Sequence, residues 1–125
     1  MIKTIISIAV STALIFTICI FEHHDIQSAF VLFESALQSL YEKTEQKLAT
    51  YDDATAVQAL WEKEKETLHI WIPHTAIQEV DYQLYDAVGC LYVQDYESAL
   101  PKIEVLLGMC ENIPSSYTFR PENIL

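Results

Sequence analysis

The side chains best suited to chemistry in this chain are four histidines, three cysteines and an excess of carboxylates. His23 and His24 are adjacent, with Glu22 before them and Asp25 after. Neighbouring residues on a helix point about 100° apart, so His23, His24 and Asp25 make an open cation or proton site at best. The same cluster serves as an ordinary polar cap above an apolar helix. His69 and His74 stand five residues apart across Pro73. That is not the i, i+4 spacing of a zincin helix, and no His-Glu-x-x-His occurs, so we expect neither a dedicated metal site nor a cofactor. Cys19 lies in an apolar run, and Cys90 and Cys110 fall about 16 Å apart along the axis of a hairpin turning near Gln94. A disulfide needs Cα atoms within about 7 Å, so these two read as small buried hydrophobes.

Carboxylate pairs are common on so acidic a chain; Asp81 and Asp86, which flank the apolar stripe of residues 76–91, are the two best placed for burial. Acid–base use would require a cleft to hold them, and the sequence gives no sign of one. There is no Gly-rich phosphate loop, serine nucleophile elbow or Cys–His signature. A catalytic role is therefore not expected. Trp61 and Trp71 read as core aromatics, and an aromatic left on the surface would instead mark an interface.

The formal charge of −11 is unevenly placed. All 18 acidic groups follow residue 21 with six of the seven basic ones, a difference of −12. Such a surface repels phosphate backbones, which excludes nucleic acid as a partner; it attracts cations or a basic face of another protein.

Before these groups lies an uncharged run from Thr4 to Phe21. As a helix it covers roughly 27 Å, close to the hydrocarbon thickness of a bilayer. A cleaved signal peptide has a shorter core and a small-x-small site, whereas Ile18, Ile20 and Phe21 are bulky; residues 1–21 read as an uncleaved anchor. Lys3 precedes the run, and Glu22, Asp25 and Glu34 follow it. The positive-inside rule then places the N-terminus in the cytoplasm and residues 22–125 outside the cell membrane of a bacterial-type cell.

Gly and Pro are scarce, so the domain should be all-α, an antiparallel bundle of three to four helices continuing from the transmembrane helix. Apolar residues Ile26, Phe30, Phe33, Leu37, Leu40 or Tyr41, Leu48 and Tyr51 predict a helix over about 25–49. Val57, Leu60, Trp61, Leu68, Trp71 and Ile72 predict one over 53–72, capped by Asp52 or Asp53. Ala76, Val80, Leu84, Val88 and Leu91 predict one over 75–93. Thr75-x-x-Gln78 favours a fresh start after Pro73, while the unshifted stripe favours one long kinked helix. Asp95 caps a last helix over 96–112, ended by Pro114, and the tail that follows offers Ile124 and Leu125 for docking.

The N-terminal anchor, Trp61 followed by Ile72-Pro73-His74, Asp95-Tyr96-x-x-Ala99, and Glu122-Asn123-Ile124-Leu125 follow one another in a characteristic order. In these features the chain resembles the bacterial membrane-protein family catalogued as domain of unknown function 4363. It implies a single-pass, helical, extracytoplasmic protein with no assigned activity; His74 is the residue it singles out for testing. The expectation is an accessory or scaffold subunit that binds another envelope protein, with a second copy of itself as another partner. The alternative is a membrane-tethered sensor or cation/proton-binding module, and an enzyme acting on envelope polymers ranks last.

Overall fold

A computed structural model describes residues 1–117. They form four helices, α1 (Ile2–Glu45), α2 (Tyr51–Leu68), α3 (His74–Tyr92) and α4 (Tyr96–Tyr117). Each helix packs on its sequence neighbours, and α4 closes against α1. The docking portion of α1 joins the other three in an up-down-up-down bundle, so the fold is all-α.

α1 is long because nothing interrupts it. No Gly or Pro occurs before Pro73, and Thr12 and Thr17 return their hydroxyls to the carbonyls of Ile8 and Ala13, each at 2.8 Å. Its first half is uncovered by the bundle and is long and apolar enough to cross a membrane. Its second half turns Ile26, Phe30, Phe33, Leu37 and Leu40 into the core. We call the bundle end nearest the apolar half proximal, and the opposite end distal.

α1 ends earlier than the stripe suggests. Lys47 adopts φ 57, and the amides of Lys47 and Leu48 bond to the carbonyls of Thr44 (3.1 Å) and Lys43 (2.8 Å). This is a Schellman ending with lysine where glycine is usual. Leu48 and Tyr51, expected on the buried face, are consequently exposed. α3 ends the same way, with Gln94 at φ 60 and Asp95 N–H on the Cys90 carbonyl at 2.8 Å. Neither position carries the glycine that advertises such a turn.

The cap of α2 is Thr50 rather than Asp52 or Asp53. Thr50 Oγ1 accepts from Asp53 N at 3.1 Å while Asp53 Oδ2 accepts from Thr50 N at 2.9 Å, a reciprocal capping box. At Pro73 the chain breaks rather than kinks: α2 stops at Leu68, and Pro73 is extended (φ −57, ψ 146). A continuous helix would drive the proline ring into the His69 carbonyl. Thr75 and Gln78 form no capping box, because α3 already starts at His74. The apolar stripe keeps its phase across a tight turn, which is why it could not distinguish the two readings.

α4 begins at the expected Asp95, whose Oδ1 accepts from Ser98 N at 3.2 Å. It does not stop before Pro114. Ser115 and Ser116 bond back to the carbonyls of Glu111 and Asn112 at 2.8–3.2 Å, and Pro114 itself is buried. Trp61, 1% exposed, fills the centre, stacked on Phe33 at 4.8 Å and tilted against Phe30 at 6.1 Å.

Candidate functional site

Two regions gather side chains that packing alone does not require. The first is the distal tip. The two left-handed turns set the α1–α2 and α3–α4 connections side by side, and a groove runs between them, lined by Leu48, Thr50, Tyr51, Leu91, Tyr92, Gln94 and Tyr96. Tyr51 and Tyr92 meet edge to face at 5.0 Å, and both stay exposed. Leu48 and Val93 are 65% and 68% exposed beside them. Edge-to-face aromatic pairs contribute about 0.5–1.5 kcal/mol beyond their burial, so the two rings are held ready rather than free to rotate. Sequence reasoning missed this patch. The available signal was that Tyr82, Tyr85 and Tyr92 lie off the Ala76–Leu91 stripe of α3.

The second region is the proximal junction. The α2–α3 turn lies against α1 where its apolar half ends, and Trp71 Nε1 donates to Asp25 Oδ2 at 3.1 Å. His69 and His74 stack at 5.7 Å across the turn. His23 and His24 are exposed on α1 just below. Thus Trp71 reaches Asp25, and His74 reaches His69, but the candidate cation cluster does not close: among the described residues no three His, Cys, Asp or Glu side chains come together as a metal site. Ile124 and Leu125 lie outside the described residues.

Asp81 and Asp86, the two aspartates that flank the α3 stripe, part company. Asp81 is 15% exposed and accepts from Trp61 Nε1 at 2.7 Å and from Lys65 Nζ at 3.3 Å. Lys65 also bonds Glu62 at 2.8 Å, and Tyr85 Oη donates to Glu62 at 3.0 Å. For the Lys65 ammonium, burial is the largest single influence and pulls its pKa down, but Glu62 and Asp81 together outweigh it and hold the group above the ordinary lysine value. The hydrogen bond from Lys65 keeps Glu62 below the usual carboxylate range, against partial burial. Every member is matched, so the network reads as an α2–α3 brace rather than a poised acid or base. Asp86 points outward and meets Lys102 only at 3.7 Å.

Tyr41 Oη bridges α1 to α4 through Glu104 at 2.8 Å. Cys19, Cys90 and Cys110 are all free thiols; burial pushes Cys110 up to about 12. No curated protein and no solved structure gives a significant match. A family model does match, over residues 21–124, starting where the apolar run ends and taking in the whole described bundle together with the Trp61, Pro73 and Asp95 landmarks. The chain therefore belongs to the family described as Domain of unknown function (DUF4363).

Proposed function

We propose that this protein is a non-enzymatic accessory subunit: α1 tethers it in the cell membrane, and the distal groove offers Tyr51 and Tyr92 to another envelope protein. The observation that carries this reading is the exposed tyrosine pair with Leu48 and Val93 on an otherwise acidic domain. Exposed aromatics with aliphatic neighbours are the usual anchors of protein interfaces, since they bury much area at little entropic cost. The bundle gives that patch a rigid base about 36 Å beyond the apolar segment, from the rise of residues 22–45. Tethering concentrates it among other membrane proteins and lowers the affinity required. By the positive-inside rule, Lys3 stays in the cytoplasm and the bundle outside.

The test is crosslinking of the full-length protein in its native membrane, followed by mass spectrometry. One dominant membrane-protein partner, lost in Tyr51→Ala/Tyr92→Ala while the helical content is unchanged, supports the reading. Recovery of only self-crosslinks, or of the same partner with the double variant, sinks it. A second reading, a proton- or cation-responsive module, draws on the His69–His74 stack beside the Trp71–Asp25 contact. It requires the unfolding midpoint or oligomeric state to respond to divalent metal or to a change between about pH 5 and 8, and to lose that response in His74→Ala.

A further inference from the structure

The proximal junction carries a second inference, which rests on reading the first half of α1 as a membrane span. The turn between α2 and α3 runs His69-Ile-Trp-Ile-Pro-His74, six consecutive residues without a formal charge at neutral histidine, in a domain with an excess of twelve negative charges. Ile70 at its tip is 71% exposed, although the neighbouring Leu68 and Ile72 are buried. An aliphatic side chain so placed gains nothing from the bundle.

The height of this turn is fixed by a hydrogen bond. Trp71 Nε1 reaches Asp25 at 3.1 Å, and Asp25 stands four residues beyond Phe21, about 6 Å along the helix. Hydrocarbon of about 30 Å within a bilayer of about 40–45 Å leaves roughly 5–8 Å of headgroup region on each side. If Thr4–Phe21 fills the hydrocarbon, Trp71 falls inside that layer, where amphipathic indoles concentrate. Ile70 lies next to it and is uncovered. Acidic surface elsewhere on the bundle is repelled by anionic lipid, so the uncharged turn is the part that can approach.

We propose that the α2–α3 turn is a second membrane contact, with Ile70 inserted at the acyl boundary and Trp71 at headgroup level. The bundle is then held upright at two points instead of swinging on α1 alone, and the distal groove is kept at a set height and facing. The occupant is the lipid interface itself; a second copy of the chain is the competing outcome.

The experiment uses the full-length chain in phosphatidylcholine nanodiscs, spin-labelled at Leu14→Cys, Ile70→Cys or Val93→Cys after replacing Cys19, Cys90 and Cys110 with alanine. All three sites are exposed, so the label disturbs little. Collision with oxygen (lipid-soluble) and with a nickel chelate (water-soluble) is compared. The proposal predicts oxygen dominance at 14 and 70 and nickel dominance at 93. Oxygen dominance at 14 with nickel dominance at 70 overturns it while leaving the anchor intact. Nickel dominance at 14 overturns the membrane reading and the proposal together. Dipolar broadening between labels at 70 assigns the turn to a second copy and overturns it too. In the unlabelled protein, lipids brominated near the headgroup should quench emission, and Trp71→Phe should abolish the quenching, because Trp61 sits level with Phe30 and Phe33, about 14 Å or more beyond Phe21. Equal emission with and without bromine in incorporated protein overturns the contact.

Discussion

Removing the carboxylate of Asp81 should cost more than any other polar change in the bundle, because it strands the indole N–H of a residue that is only 1% exposed. A hydrogen bond to a charged acceptor is worth about 1.5–3 kcal/mol, and an orphaned buried donor loses its full solvation. Lys65 loses one partner but keeps Glu62 at 2.8 Å, which limits the ionic part. We therefore expect Asp81→Ala to lower unfolding stability by about 2–4 kcal/mol, and Asp81→Asn, which retains an acceptor for the indole, by about 1 kcal/mol. The sign of the pH dependence follows from Lys65. Its folded pKa is raised, so its contribution is complete below the unfolded lysine value and is lost as pH rises through the folded one. The penalty of Asp81→Ala should thus shrink only in strongly alkaline solution. Urea unfolding of the full chain in mild detergent, followed by the emission of Trp61, measures all three. A loss under about 0.5 kcal/mol for Asp81→Ala, or equal losses for alanine and asparagine, would mean that the indole bond to Asp81 does not brace the bundle.

Other consequences are as specific. Thr50→Ala breaks the capping box and should cost about 1 kcal/mol by the same assay. The backbone bond from Thr50 holds Asp53 below the ordinary carboxylate range, so this contribution is present at neutral pH and disappears as pH falls through that lowered value. Gln94→Gly should stabilise by up to about 1 kcal/mol by relieving the left-handed residue, whereas Gln94→Val should destabilise; thermal melts by circular dichroism distinguish them. A Cβ added at Gly108 meets nothing within 4 Å, so Gly108→Ala should raise stability by about 0.5–1 kcal/mol. Cys110, with its thiol pushed up to about 12 by burial, should resist alkylation in the folded protein near neutral pH and react once urea unfolds it, as mass spectrometry of the modified peptide would show.

Much of the fold was legible because helices report themselves through period. Ile26–Leu40, Val57–Leu68 and Ala76–Leu91 each trace a buried stripe, and the scarcity of Gly and Pro left little but helices to join. The errors came at the ends. Lys47 and Gln94 occupy conformations that glycine normally marks, so the pattern predicts a helix to about residue 49 and a stripe through Leu48 and Tyr51, a face that neither joins. Pro114 predicts a stop, yet the serines after it satisfy carbonyls of the last turn and carry α4 to Tyr117. The same two turns that blur the boundary build the distal groove, which is why that site is illegible in the sequence, whereas Trp61 reports its place in the core through its stripe. The partnerships of Trp71 with Asp25 and of Trp61 with Asp81 span 46 and 20 residues, and no local pattern encodes them.

Whether a tethered bundle engages a partner through its distal tyrosines is tested by a photocrosslinking amino acid placed at Tyr92 in the full-length protein in its native membrane. Tyr82, exposed on the same helix about 15 Å nearer the proximal end, serves as the comparison. A single crosslinked membrane protein is expected from position 92 and little from 82. Identical adducts from both positions, or adducts only with a second copy of this chain, would contradict it.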